Sequence, residues 1–72
     1  MRKNLRLIEA RKKKGLTQEQ LARQLNRKKT TISNWENGYC NPKLSDAFKV
    51  AELLETDVSE LFFDDKVQET HT

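Results

Sequence analysis

Lys29, Thr30, Thr31, Ser33, Asn34 and Asn37 gather ammonium, hydroxyl and carboxamide groups in one short stretch, where the only apolar side chains are Ile32 and Trp35. Such groups donate and accept hydrogen bonds, and they break covalent bonds only beside a base, an activated nucleophile or a metal. The sequence offers no Ser/His/Asp or Cys/His set, no Gly-rich phosphate loop and no carboxylate pair on a rigid element. Enzymatic chemistry is therefore not expected, nor a cofactor or a metal. What the stretch can do is recognise. A lysine at 29 can donate to guanine O6 or N7, an asparagine at 34 can pair bidentately with adenine, and Thr30 can bond a base edge or touch a thymine methyl.

Those residues need a rigid carrier. Gly15, Asn26, Gly38 and Asn41-Pro42 divide the chain into short segments, each with helical periodicity. The first helix is expected from about Lys3 to Lys14, with Leu7, Ala10 and Arg11 on one face, Ile8 beside them and Gly15 as its stop. The second opens on the capping box Thr17-Gln18-Glu19-Gln20, buries Leu21, Ala22 and Leu25, and turns at Asn26. The third, from about Lys29 to Asn37, is held by the i, i+3 pair Ile32 and Trp35, which makes Trp35 a core residue rather than a stacking platform. A fourth, about Leu44 to Glu55, carries the widest stripe: Leu44, Ala47, Phe48, Val50, Ala51 and Leu54. A fifth starts at a second box, Asp57-Val58-Ser59-Glu60, and presents Val58, Leu61 and Phe62. The expectation is an all-α, five-helix domain over residues 1–63, with residues 64–72 as a polar, flexible tail.

At 72 residues the chain has room for one thin core and no deep substrate pocket. Residues 1–43 hold 12 Lys/Arg against three acids, a formal +9, whereas residues 44–72 hold two lysines against eight acids, a formal −6. A basic half fits a polyanion, although two solvated faces of opposite sign would give the same numbers. Cys40 is the only cysteine, so an intrachain disulfide is impossible; it reads as a free thiol. His71 has no second ligand at metal spacing, and Asp64 and Asp65 sit in the tail. No membrane-length apolar run or signal-peptide pattern is present.

A short helix fixed by a thin apolar edge leaves its other faces free, and fits a major groove about 12 Å wide. The capped start of the second helix, at Thr17 and Gln18, points backbone N–H groups at an anion. Asn37, Tyr39 and Lys43, just past the third helix, can hold phosphates on the other side. A solvated polar helix in a small bundle would have a similar composition, so the pattern alone leaves both readings open.

The stretches Leu16-Thr17-Gln18-Glu19-Gln20-Leu21-Ala22 and Thr31-Ile32-Ser33-Asn34-Trp35-Glu36-Asn37-Gly38, followed by Pro42 and Val50-Ala51, closely resemble the Cro/cI-type (Xre-like) helix-turn-helix family. The resemblance spans about Leu5 to Phe63. It implies a lambda-repressor-like domain in which Lys29, Thr30 and Asn34 face base edges and Gln18 contacts a base or phosphate. It also implies that Thr17, Thr31 and Asn37 lie near phosphates, and that Arg11 and Glu36 form a structural salt bridge. Where the family usually has Gly, an apolar residue and Ser in the turn, this chain has Asn26, Arg27 and Lys28. That costs a capping hydroxyl but sets Arg27, Lys28 and Lys29 side by side as an expected phosphate-binding cluster. Lys43 likewise stands where the family often has a Ser or Thr cap.

The function so implied is sequence-specific binding of double-stranded DNA by a cytoplasmic bacterial or phage regulator. The family pairs as a twofold dimer on an inverted repeat, with half-sites about one helical turn apart, and such a dimer represses by covering a promoter. Leu61, Phe62 and Phe63 are the expected dimer contacts, the alternative being that they only seal the monomer core. A second class of function remains: an antitoxin-like protein that binds a partner and uses DNA only for autoregulation.

Overall fold

The computed structural model describes residues 3–63; Met1, Arg2 and residues 64–72 lie outside the described residues, and with them Asp64, Asp65, His71 and the expected tail. Five helices follow in order: α1 (Leu5–Lys13), α2 (Gln18–Leu25), α3 (Lys29–Glu36), α4 (Leu44–Leu54) and α5 (Val58–Phe62). The described residues contain no strand, and the fold is all-α and lambda-repressor-like. No helix among them is long and apolar enough to cross a membrane.

One device ends four of the helices. A residue with positive φ (Gly15 +74°, Asn26 +59°, Gly38 +80°, Glu55 +53°) turns the chain out of the helix. The amide after it reaches back five residues: Leu16 to Arg11 O, Arg27 to Ala22 O, Tyr39 to Asn34 O and Thr56 to Ala51 O, at 2.8–3.1 Å. These bonds satisfy carbonyls that the helix ends would otherwise leave bare.

Helix starts are less uniform. The Thr17/Gln20 box is complete, with Gln20 N donating to Thr17 Oγ1 at 3.0 Å and Thr17 N to Gln20 Oε1 at 2.9 Å. The second expected box does not form: Asp57 makes no side-chain cap, and the Glu60 amide donates to the Asp57 carbonyl instead. Asn4, just before α1, does three tasks. Its Oδ1 caps the Leu7 amide, its Nδ2 donates to Leu61 O at 2.7 Å, and its backbone N donates to Glu36 O at 2.8 Å. It thereby joins the start of α1 to the ends of α3 and α5.

The core is Leu7 of α1, Leu21, Ala22 and Leu25 of α2, Ile32 and Trp35 of α3, Val50, Ala51 and Leu54 of α4, and Leu61 of α5. Two expectations need correction. Leu44 and Phe48 are not part of the α4 core stripe; they are 57% and 53% exposed. The buried set Ala47, Val50, Ala51, Leu54 already has i, i+3, i+4, i+7 spacing, and Phe48 is turned about 100° from Ala47. Leu61, expected between subunits, lies in the core of the single chain at 3% exposure, because α5 packs against both α1 and α4.

Lys14 Nζ lies 2.7 Å from Glu55 Oε2, joining the ends of α1 and α4. Its hydrogen bond, and secondly its charge, hold the Glu55 carboxyl below the ordinary glutamate value. A depressed carboxylate stabilises the fold at neutral pH and loses that contribution as pH falls through the carboxylate range. Lys14→Ala should return Glu55 to its ordinary titration range in an NMR pH series. An unmoved midpoint would remove Lys14 as the cause.

Candidate nucleic-acid interface

The inner face of α3 is narrow. Ile32 is fully buried, and Trp35 and Glu36 are 4% and 2% exposed. A carboxylate at that depth needs partners, and Glu36 has them. Arg11 Nε donates to its Oε2 at 2.6 Å, Arg11 Nη2 to its Oε1 at 3.3 Å, and Gln18 Nε2 to the same Oε1 at 2.9 Å. Arg11 Nη1 also donates to Leu16 O at 2.7 Å, so one guanidinium connects α1, the α1–α2 turn and α3. Gln18, the first residue of α2, is thus fixed over the end of α3. Its separation of 18 residues from Glu36 gives no periodic sign of that contact.

With the inner edge anchored, α3 turns Lys29 and Thr30 fully outward, while Thr31, Ser33 and Asn34 lie half-buried along its flank. The Lys29, Thr30, Thr31 and Asn34 side chains form no hydrogen bond with the described residues, which leaves their polar atoms for an outside partner. Asn37 is held through Nδ2 to Ser33 Oγ at 3.2 Å. Tyr39 is 62% exposed, and Lys43 is exposed at the N-cap of α4 without a side-chain cap bond.

The start of α2 opens on a cleft of about 570 Å³ bordered by Lys12, Gly15, Thr17, Gln18 and Lys29. Lys12, Lys29 and the positive end of a helix dipole border it, together with the Glu19 carboxylate of the first turn of α2. Thr17 Oγ1 accepts from Gln20 N, and its hydroxyl proton remains free to donate. Lys12 was not singled out by sequence reasoning. As the third-last residue before Gly15 it reads as a helix-end charge, and only the α1–α2 turn brings it to the cleft.

Arg27 is placed differently from the expected cluster of solvent-facing cations. Its Nη2 lies 3.1 and 3.0 Å from the two carboxylate oxygens of Asp46, whose side chain is only 8% exposed. The buried Asp46, in the first turn of α4, requires a counter-charge, and Arg27 supplies it while clamping the α2–α3 turn to α4. Lys28 and Lys29, exposed like Arg27, form no ion pair among the described residues. Lys28 stands at the N-cap of α3 and makes no side-chain cap.

A helix-turn-helix family model matches residues 7–61, nearly all of the described chain. The chain belongs to the helix-turn-helix family. It is similar to two uncharacterized HTH-type transcriptional regulators of Archaeoglobus fulgidus. One is 40% identical over 62 residues, covering 85% of this chain and 89% of the relative. The other is 34% identical over 61 residues, covering 85% and 86%. In this helix-turn-helix domain, α2 and α3 are the two helices that name the motif, and Asn26 forms the turn between them. The domain is of the HTH regulator type, and its business is DNA.

Proposed function

We propose that the chain is a sequence-specific reader of duplex DNA of the Cro/cI type, acting as a dimeric repressor on an inverted-repeat operator in the cytoplasm. One observation carries the reading: the buried residues of α3 are Ile32, Trp35 and Glu36, and on its other faces the side chains of Lys29, Thr30, Thr31 and Asn34 form no hydrogen bond among the described residues, beside the exposed Lys28. Lys29, Thr30 and Asn34 are assigned to base edges. Gln18 is assigned to a base or phosphate beside them, its amide already held by Glu36. Thr17, Thr31, Asn37, Tyr39, Lys28 and Lys43 are assigned to phosphates, which set register without reading sequence. Lys12 joins them through the cleft at the start of α2.

A single recognition helix reads few base pairs, so two copies related by a twofold axis supply the rest of the address. Phe63, 47% exposed, and the half-buried Phe62 at the end of α5 are the apolar contacts assigned to that dimer. Leu61 is left to the monomer core. Repression follows sterically when the dimer covers a promoter.

Three variants test the assignment on a selected operator. Asn34→Ala and Lys29→Ala should each weaken binding by about 1–3 kcal/mol and relax preference at particular base pairs. Lys43→Ala should weaken all duplexes alike and flatten the salt dependence. Equal behaviour of all three in a competition assay would remove α3 as the reading helix.

A further inference from the structure

The surface formed by α4 and α5 has a different character from the basic side. Leu44 and Phe48, one helical turn apart and each more than half exposed, lie in line on the outer flank of α4. Phe48 also forms a wall of a shallow groove of about 730 Å³, whose other apolar surfaces come from Ala51 and Val58. The rim is acidic, with Glu52, Glu55, Asp57 and Glu60 set against Lys13. Glu55 is already bridged by Lys14; Glu52, Asp57 and Glu60 make no ion pair among the described residues. Isolated exposed apolar residues are ordinary, but here Phe48 joins the exposed Leu44 to the apolar wall of a groove, and contiguous apolar surface rimmed by polar residues marks a contact surface.

Charge selects the occupant. An apolar floor inside a carboxylate rim fits a bulky apolar side chain flanked by cations. The chain's own C-terminal stretch does not fit, since Asp64, Asp65 and Glu69 outnumber Lys66 there. We propose that the α4–α5 groove docks a basic amphipathic segment of a partner protein. One bulky apolar side chain of that segment packs on Phe48, Ala51 and Val58, and its Lys or Arg residues meet Glu52, Asp57 and Glu60. An arginine gains further by stacking on the exposed Phe48 ring. No residue of α2 or α3 lines the groove, so a duplex held on α3 leaves it open, and docking does not depend on the DNA reading.

The test is panning of a random peptide display library on the full chain with counter-selection on Phe48→Ser. The strongest winner, as a synthetic peptide, is then titrated into the isotope-labelled chain. Winners should share a bulky apolar residue between Lys or Arg and shift the amides of Phe48, Ala51 and Val58. Phe48→Ser should weaken the peptide by about tenfold, as expected for an aromatic anchor. The double variant Glu52→Gln, Glu60→Gln should weaken it too and reduce its salt dependence. Thermal melts check that both variants fold; should Phe48→Ser fail to, the charge variant decides. Winners without basic residues, equal binding to the folded variants, or shifts centred on α2 and α3 would overturn the proposal. So would self-association of the chain through this face without peptide, which would assign it to a second copy. A peptide that binds as proposed to a chain that does not bind DNA would sink only the DNA reading.

Discussion

Arg11→Ala is expected to lower the unfolding free energy by about 3–5 kcal/mol, the usual loss when one partner of a buried ion pair is removed. Glu36 is 2% exposed, and without Arg11 its carboxylate keeps only the Gln18 amide. A small domain has about 5–15 kcal/mol of stability in total, so the urea midpoint, followed by Trp35 fluorescence, should fall steeply. The pair Arg11→Met, Glu36→Leu removes both charges and should recover most of that loss. If the double variant is as damaged as the single one, the loss belongs instead to the Arg11 bond to the Leu16 carbonyl. The consequence for function is direct, since Glu36 holds both α3 and Gln18 in place.

Ile32→Ala should cost about 2–5 kcal/mol, the range for truncating a large buried aliphatic side chain. Ile32 is fully buried, and Ile32 and Trp35 are the only two apolar anchors of α3. The cavity therefore falls under the one helix that presents the polar face. Thr30→Ala, on the exposed side of the same helix, should leave stability within about 0.5 kcal/mol. A denaturation series comparing the two separates anchor from reading face. A loss in Thr30→Ala equal to that in Ile32→Ala would mean that the outward face also supports the fold.

Much of this architecture was legible in the sequence because its punctuation is physical. Gly15, Asn26 and Gly38 are residue types that tolerate positive φ, and the helices end at them. Glu55 performs the same turn with a residue that disfavours it, so composition gives no sign of it there. The inner faces of α1, α2 and α3 follow the 3.6-residue period. In α4 the apolar stripe of the sequence is broader than the buried face, since Leu44 and Phe48 continue the stripe while lying outside the buried arc. Asp46 was hidden for the opposite reason. A carboxylate reads as surface until an arginine from another element, here Arg27, is seen across from it. The Arg11–Glu36 pair was legible through the family resemblance, with Arg11 already on the inner face of α1 by its spacing from Leu7. The three bonds of Asn4 and the reach of Gln18 to Glu36 arise only when the chain ends of several helices meet.

The outward residues of α3 were visible from sequence, and their freedom from internal hydrogen bonds is the structural ground for treating them as a reading surface. The measurement that tests this most directly is selection of bound duplexes from a random pool at physiological salt, followed by footprinting of the winners. The account predicts an enriched inverted repeat with half-sites about one helical turn apart, whose base preferences shift in Lys29→Ala and Asn34→Ala. Recovery of duplexes with no shared motif would contradict it, reducing the basic face to nonspecific grip on the phosphate backbone.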